Sequence, residues 1–215
     1  MVLASTNRHK HGEFRAFFAS LEELCGGDVA LVLPDELSNC PGLEDVQESG
    51  RTYEENALIK ARAWARAAGI PAIADDSGLE VRHLSWAPGI RSARIASGGD
   101  EDRINWLLAE LDGVTDRRAC FAASIVIAFP AETGKGRDYF ASEGRCWGNI
   151  ADELRGKSGF GYDPVFIPSG YDTTFGDLGP DIKSRISHRA AAMTGVAKMM
   201  ASVLKYHALS ALNEI

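Results

Sequence analysis

Two adjacent aspartates, Asp75 and Asp76, follow an apolar run, Pro71 to Ala74, that predicts a buried strand. Neighbouring carboxylates repel each other unless a proton or a cation lies between them. Mg²⁺ commonly binds through one or two carboxylates together with substrate phosphates, so the pair is a candidate metal site. On these residues alone, a strand that stops in an exposed Asp-Asp-Ser-Gly turn is an equally good interpretation, because these residue types dominate turns.

The start of the chain offers groups that suit phosphate. A short β-like run, Val2 to Ser5, leads through Thr6 and Asn7 into a helix that carries Lys10. Hydroxyl, amide and ammonium groups and the free N–H groups of a helix start are suitable phosphate partners. Ser, Thr and Asn are also ordinary helix caps, so this segment alone leaves phosphate binding and simple capping open.

Basic residues surround the start of the last predicted helix. Lys183, His188 and Arg189 flank Ser187, which we expect to be the N-cap. Cations are disfavoured there, because the helix N-terminus already carries a positive partial charge. Residues placed against the helix dipole often have a functional reason, and here the cations favour recognition of an anionic or carbonyl-bearing ligand. A solvated helix end is the alternative, since this placement costs at most about 1 kcal/mol.

Two further segments carry weaker signals. Ser158 to Pro164 combines two glycines, which permit close backbone approach, with two aromatic rings that can stack on a base. An ordinary Gly-rich turn with buried rings is its alternative. Glu44, Asp45 and Glu48 lie in a long acidic loop and could add a metal contact, although acidic loops are more often merely solvated.

The elements that must position these residues follow from hydrophobic periodicity and caps. A capping-box sequence, Thr52 to Glu55, predicts a helix that ends at Gly69. The whole pattern predicts strands at 2–5, 28–33, 71–74, 118–129, 137–147 and 164–168, and extended structure that resumes at 79–84. It also predicts a loop at 34–50 and helices after residue 7, after 52, at 100–111 and from about 187. The fold class is mixed α/β, with a hairpin-containing sheet and two lobes around a cleft in a single domain, residues 1–215.

Composition limits the possible partners. A formal net charge of −7 argues against a general nucleic-acid binder, and 45% hydrophobic residues are typical of an ordinary globular protein. No apolar run approaches the roughly 20 residues that cross a membrane. The start lacks a basic leader, which favours a cytoplasmic protein. The four cysteines show neither a zinc-site spacing nor a disulfide framework.

Read together, the segments resemble the inosine triphosphate pyrophosphatase family over nearly the whole chain. The resemblance rests on six segments in the same order: Ser5-Thr6-Asn7-Arg8-His9-Lys10, Glu48 to Ala57, Ala74 to Leu79, Ala87 to Arg94, Gly159 to Pro164 and Ser187-His188-Arg189. It implies a homodimer of two-lobed α/β subunits with an elongated mixed sheet. It also implies Mg²⁺-dependent cleavage of deaminated purine nucleoside triphosphates such as ITP, dITP and XTP to the monophosphate and pyrophosphate.

The resemblance also implies roles for individual residues. Asp76 matches the catalytic acid–base and metal position, and Ser77 matches a substrate contact. The first segment would hold the triphosphate through Ser5, Thr6, Asn7, Arg8, His9 and Lys10. The base and phosphate pocket would consist of Phe160, Gly161, Tyr162, Asp163, Lys183, His188 and Arg189, with His188 and Arg189 directed at the six-position carbonyl.

The sequence departs from the family pattern at two places. Many relatives carry two acidic residues where Gln47-Glu48 stands, so the metal role falls on Glu48. A glycine often stands where Trp86 is, which bears on loop shape or the dimer surface. Two other functions stay open: a pyrophosphatase for modified pyrimidine or methylated nucleotides, and a nucleotide-binding module without catalysis.

Overall fold

The computed structural model describes the backbone of residues 1–25, 30–37, 46–130 and 138–212, and their side chains except at 20–25 and 203–212. The described elements, in chain order, are β1 (Val2–Leu3), α1 (Arg8–Cys25), α2 (Tyr53–Ala68), β2 (Ala72–Val81), α3 (Asp100–Glu110), β3 (Arg118–Ala128), β4 (Tyr139–Ile150), β5 (Phe166–Pro168), α4 (Phe175–Ile186) and α5 (His188–Leu212). Short 3-10 turns lie at Pro34–Glu36, Arg82–Leu84, Gly89–Arg91 and Asp163–Val165. None of the described helices is long and apolar enough to cross a membrane.

The five strands form one mixed sheet in the order β1-β2-β3-β4-β5. β1 pairs with β2 in parallel, and the other neighbouring pairs are antiparallel. β2 and β3 pair along their whole length, which places Asp75 opposite Ile125 and Asp76 opposite Ser124. The predicted mixed α/β class and the antiparallel pairing of the two long strands are confirmed. The predicted hairpin loop, Pro130 to Gly136, lies outside the described residues except for Pro130.

Successive side chains of β2 point to opposite faces of the sheet, as the pleat of a strand requires. On one face, Ala74 packs in a cluster with Ala57, Ala61 and Trp64 of α2. On the other, Ile73 packs with Phe14 of α1 and with α5 residues, namely Ala192, Met193 and Val196. The alternation therefore sends Asp75 toward α1 and α5 and Asp76 toward α2.

A third hydrophobic cluster surrounds the C-terminal end of β2 and the N-terminal end of β3, which pair with each other. Leu79 and Phe121 pack there with Leu107 of α3, Phe166 of β5 and Phe175 of α4. Hydrophobic residues thus support the sheet on both sides of its central stretch, where the two aspartates lie. The stability of this scaffold comes mainly from burying such apolar surface.

The structure corrects three details of the sequence-based assignment. β2 continues through Asp75-Asp76-Ser77-Gly78 to Val81, because every one of these residues pairs with β3, so the expected turn is wrong. α4 was not predicted, since Gly179 interrupts it with a φ of 75° and Pro180 follows. Of the strand expected at 28–33, Val32 forms an isolated bridge to Val2, and residues 28 and 29 lie outside the described chain.

Both predicted caps are present. The Thr52 hydroxyl accepts a hydrogen bond from the Glu55 N–H at 3.1 Å, and the Ser187 hydroxyl accepts one from the Ala190 N–H at 3.2 Å. The Glu55 carboxylate accepts from the N–H of Arg51 instead of closing the reciprocal bond of a capping box. Ser187 also ends α4, so one residue joins two helices and fixes where α5 begins.

Candidate functional site

A cleft of about 260 Å³ lies beside the middle of β2 and collects most of the predicted site residues. Of these it contains Asn7, Lys10, Glu48, Asp76, Ser77, Phe160, Gly161, Tyr162, Asp163, Lys183, His188 and Arg189. Ser5 and Thr6 line a smaller cavity that shares Lys10 and Glu48 with the cleft. Arg8 is exposed at the start of α1, and Glu44 and Asp45 lie outside the described residues.

Asp76 is held from the α2 side of the sheet. Its side chain accepts a hydrogen bond from the Asn56 amide at 3.0 Å and lies 3.6 Å from the Lys60 ammonium. Burial raises the pKa of Asp76 above its ordinary value, and the nearby Glu48 carboxylate adds to this, while Lys60 and Asn56 oppose it. A carboxylate with a raised pKa is a stronger base than an ordinary aspartate, which suits removal of a proton from water.

Glu48 and Asp76 converge on the same cation. The Lys60 ammonium lies 2.7 Å from the Glu48 carboxylate as well as 3.6 Å from Asp76, and the more exposed Arg94 approaches Glu48 at 3.3 Å. Two carboxylates that face one positive charge at a cleft wall fit Mg²⁺, which takes oxygen ligands. The described residues include no group of three His, Cys, Asp or Glu that could hold a metal ion.

Asp75 belongs to a different network on the other face of the sheet. Its carboxylate pairs with the Lys10 ammonium at 3.0 Å and with the Arg189 guanidinium at 3.0 Å. Burial alone would raise the pKa of Asp75, but these two cations outweigh it and hold the pKa well below its usual range. Asp75 is thus a permanent anion that fixes Lys10 and Arg189.

Glu13 of α1 extends this network toward the other end of the cleft. It contacts Arg189 through one oxygen and lies 3.2 Å from the Lys183 ammonium through the other. Lys183 in turn contacts Asp163 at 2.6 Å. Positive and negative side chains therefore alternate from the start of α1 to the aromatic segment, in the order Lys10, Asp75, Arg189, Glu13, Lys183 and Asp163.

The aromatic segment, Ser158 to Pro164, is held by one internal hydrogen bond and by contacts with two other parts of the chain. The Asp163 carboxylate accepts from the Phe160 N–H at 2.9 Å, and Asp100 of α3 accepts from the Gly161 N–H at 2.6 Å. The Tyr162 hydroxyl donates to the Ser92 carbonyl at 3.0 Å. These bonds fix the backbone beside the Phe160 ring, which also lies 4.2 Å from the Lys183 ammonium.

His188 is buried and neutral. Its ring stacks on Phe121 with centroids 4.8 Å apart, and its Nδ1 has no hydrogen-bond partner in the described structure. Burial lowers the pKa of His188 well below its ordinary value, and the positive charges of Arg189 and Lys183 lower it further. An unpaired buried nitrogen is costly, and the His188 side chain also lines the cleft, so a hydrogen-bond partner for this ring would stabilise the site.

A model of the Ham1 family matches residues 1–199 of this sequence. The chain belongs to the Ham1 family. A protein of Desulfotalea psychrophila named dITP/XTP pyrophosphatase is 41% identical over 208 residues, which cover 96% of this chain and 87% of that protein. A protein of Bacillus subtilis with the same name is 39% identical over 196 residues, with 89% and 93% covered. The structure of the Staphylococcus aureus Ham1 protein matches with a TM-score of 0.78 at 37% identity, covering 94% of this chain and 97% of that one.

The structure of this Ham1 protein adds site residues that sequence reasoning missed. Asn56 and Lys60 both contact Asp76, and their spacing of four residues places them on one face of α2. The sequence could have indicated this pair, because the capping-box motif at Thr52 to Glu55 predicts where α2 begins and therefore which residues share one of its faces. Glu13 and Asp100 carried no such signal, because their partners are distant in the chain.

Proposed function

We propose that this Ham1 protein hydrolyses dITP, XTP and ITP to the nucleoside monophosphate and pyrophosphate, with Mg²⁺ as cofactor. One observation carries the proposal: a single cleft joins Asp76 and two lysines, Lys10 and Lys60, to an aromatic and histidine pocket at Phe160 and His188. The two lysines can bind the negatively charged triphosphate, and the pocket at Phe160 and His188 can bind the purine base. The names of the relatives at about 40% identity agree with this substrate class.

The triphosphate end is built from α1 and α2. The Asn7 side chain caps α1 by accepting from the His9 N–H at 2.9 Å, which leaves Lys10 in the first turn beside the cleft. A helix N-terminus and an ammonium favour phosphate oxygens. In this proposal Ser5, Thr6, Asn7 and Lys10 bind the phosphates from one side and Lys60 from the other.

Glu48 and Asp76 would hold the Mg²⁺ ion. When bound, the ion neutralises charge on the triphosphate and polarises its phosphoryl oxygens. Asn56 and Lys60 keep the Asp76 carboxylate in place, and the N–H of Gly50 donates to the Asn56 side-chain oxygen at 2.8 Å, which ties the Glu48 loop to α2. Both candidate ligands are therefore supported by the same helix.

Asp76 activates water in this mechanism. Its carboxylate removes a proton from a water molecule while the water oxygen forms a bond to the α-phosphorus. The bond between that phosphorus and the bridging oxygen breaks, and pyrophosphate leaves with the electron pair. Lys10 and Lys60 stabilise the charge that develops on the leaving group, since such electrostatic stabilisation is usually the largest part of catalysis.

The base pocket explains a preference for deaminated purines. Hypoxanthine and xanthine present a carbonyl at the six position, whereas adenine presents an amino group. Three of the five N–H groups of Arg189 donate to Asp75, Glu13 and Ser77, so His188, with its unpaired ring nitrogen, is the stronger candidate for contact with the base. A mismatched amino group would leave a buried polar group unpaired, which discriminates by several powers of ten.

The proposal includes a homodimer of two-lobed, single-domain, cytosolic subunits. Trp86 and Trp147 stack edge to face with centroids 6.0 Å apart, yet they are 44% and 52% exposed. Glu143 and Arg145 lie with Trp86 along one surface groove, so this surface carries both charge signs, which is compatible with a self-complementary twofold contact. Sedimentation should give a dimer for the wild type and a larger monomer fraction for a Trp86→Ser/Trp147→Ser double variant. An unchanged dimer would exclude this surface.

A pyrophosphate-release assay across a substrate panel tests the function. With Mg²⁺ present, we expect dITP, XTP and ITP to be hydrolysed at least about a hundredfold more efficiently than ATP or dGTP. Preferential turnover of dUTP or methylated nucleotides would instead support the pyrimidine or modified-base alternative. Binding of ITP without any pyrophosphate release would indicate a non-catalytic nucleotide-binding module.

A further inference from the structure

His9 contacts the base pocket, although it lies in the helix turn expected to bind phosphate. Its backbone N–H donates to the Asn7 side chain at 2.9 Å, which fixes it in the first turn of α1. Its ring stacks on Phe160 with centroids 5.1 Å apart and planes 17° from parallel. Residues 151 positions apart in the chain thus connect the start of α1 with the Gly159–Asp163 segment.

The two cavities show which face of Phe160 His9 covers. Phe160 borders the cleft, and it also borders a second cavity of about 530 Å³ on the side of α1 and α4. His9 lines this second cavity and is not part of the cleft wall. The imidazole therefore packs against the ring from the side of this second cavity, whereas Lys183 and Arg189, which also contact the ring, line the cleft.

The other contacts of Phe160 are of a different kind. The bond from its N–H to Asp163 holds the backbone, and two cations also contact the ring, the Lys183 ammonium at 4.2 Å and the Arg189 guanidinium at 5.7 Å from the ring centroid. Among the described residues, His9 is the one aromatic ring that packs against Phe160. Stacked aromatic pairs contribute beyond simple burial and prefer defined geometries, so the His9 ring restricts the orientation of Phe160.

We propose that His9 is a positioning residue that orients Phe160 for stacking against the purine base and couples the phosphate-binding turn to the base pocket. The proposal rests on the function proposed above. In this arrangement, phosphate contacts at Asn7 and Lys10 order the turn that carries His9, and His9 then holds Phe160. His9 acts through Phe160 and makes no contact with the reacting phosphorus.

A double-mutant cycle with dITP tests this coupling. His9→Ala should raise KM roughly two- to tenfold and leave kcat within about twofold, because an aromatic pair is worth about that much in affinity. In a Phe160→Leu background the same change should have almost no further effect, since residues that act as a unit are not additive. His9→Phe keeps a stacked ring and should restore KM. His83→Ala, at an exposed histidine distant in the chain, is the matched control.

Three results would overturn the proposal. Equal KM effects of His9→Ala in the wild-type and Phe160→Leu backgrounds would show that His9 acts independently of Phe160. A His9→Phe variant as impaired as His9→Ala would indicate that the imidazole contacts phosphate instead. A His9→Ala enzyme indistinguishable from wild type would remove any role. All three require an active wild-type enzyme, so failure of the proposed function is recognised separately, by absence of pyrophosphate release from dITP.

Discussion

The side-chain amide of Asn56 donates a hydrogen bond to the carboxylate of Asp76 across 3.0 Å, and both groups are buried. The amide oxygen of Asn56 accepts from the Gly50 N–H at 2.8 Å. One side chain therefore orients the proposed catalytic carboxylate and anchors the loop that carries Glu48. The bond also favours the charged form of Asp76, against the burial that raises its pKa.

Replacing Asn56 should reduce catalysis more than substrate binding. Asn56→Ala removes both hydrogen bonds, so we expect a loss of about 1–3 kcal/mol in the free energy of unfolding. We also expect kcat for dITP to fall roughly tenfold to a hundredfold as Asp76 loses its orientation. Denaturant unfolding and steady-state kinetics measure the two effects.

A second variant separates orientation from packing. Asn56→Asp keeps the size of the side chain and an acceptor for the Gly50 N–H, but it places a second carboxylate against Asp76. It should lower kcat at least as much as Asn56→Ala. The exposed Asn105 of α3 serves as the control in an Asn105→Ala variant. Wild-type kcat in both Asn56 variants would contradict the orienting role.

A close backbone approach at Gly144 positions His188. A Cβ atom at Gly144 would lie 2.1 Å from the His188 carbonyl oxygen and 2.4 Å from the Ala192 nitrogen. Gly144→Ala must therefore push α5 away from β4, which we expect to cost about 1–3 kcal/mol of unfolding free energy. The displacement of His188 should also lower kcat/KM for XTP.

Gly12 provides the opposite expectation for the same substitution. A Cβ there meets nothing within 4 Å, and Gly12 lies inside α1, where alanine is the better helix former. Gly12→Ala should raise the free energy of unfolding by about 0.5–1 kcal/mol. Chemical denaturation of both variants compares them directly. A Gly144→Ala protein as stable as wild type would show that β4 and α5 do not meet this closely.

The neutral His188 predicts a loss of stability on mild acidification. The pKa of His188 is lowered in the folded protein, chiefly by burial, from an ordinary value of 6.5. Below pH 6.5 the unfolded chain therefore binds a proton that the folded protein does not, so stability falls with decreasing pH until the lowered pKa is reached. The slope from this residue is at most about 1.4 kcal/mol per pH unit.

Unfolding at pH 7.5 and pH 5.5 tests this origin of the acid sensitivity. His188→Phe keeps a ring against Phe121 but cannot take up a proton, so it should lose less stability than wild type over this interval. His83→Ala should lose as much as wild type, because His83 is exposed. The same loss in His188→Phe and wild type would assign the effect to other groups.

The separation of Asp75 from Asp76 shows what sequence reasoning could and could not reach. Residue types located the pair, and the resemblance to a family singled out Asp76 and the segments that surround it. The expected turn concealed the roles of the two residues, because only a continuous strand sends adjacent side chains to opposite faces. Once β2 is extended, Asp75 meets Lys10 and Arg189, and Asp76 meets α2.

Contacts between distant residues were beyond the reach of local patterns. The His9–Phe160 stack and the Glu13–Lys183 ion pair depend on how α1 packs against α4 and the Gly159–Asp163 segment. The helix α4 was itself hidden by Gly179 and Pro180, which ordinarily indicate a loop. Periodicity predicts elements, whereas these contacts arise only from tertiary packing.

The central claim is that Asp76 drives release of pyrophosphate from deaminated purine triphosphates in this cleft. The most direct measurement is product analysis with dITP and Mg²⁺ for the wild type and for Asp76→Asn, whose fold is checked by thermal unfolding. We predict equimolar dIMP and pyrophosphate from the wild type, and a rate at least about a hundredfold lower from a folded Asp76→Asn protein. An Asp76→Asn protein with the wild-type rate, or release of orthophosphate in place of pyrophosphate, would contradict the account.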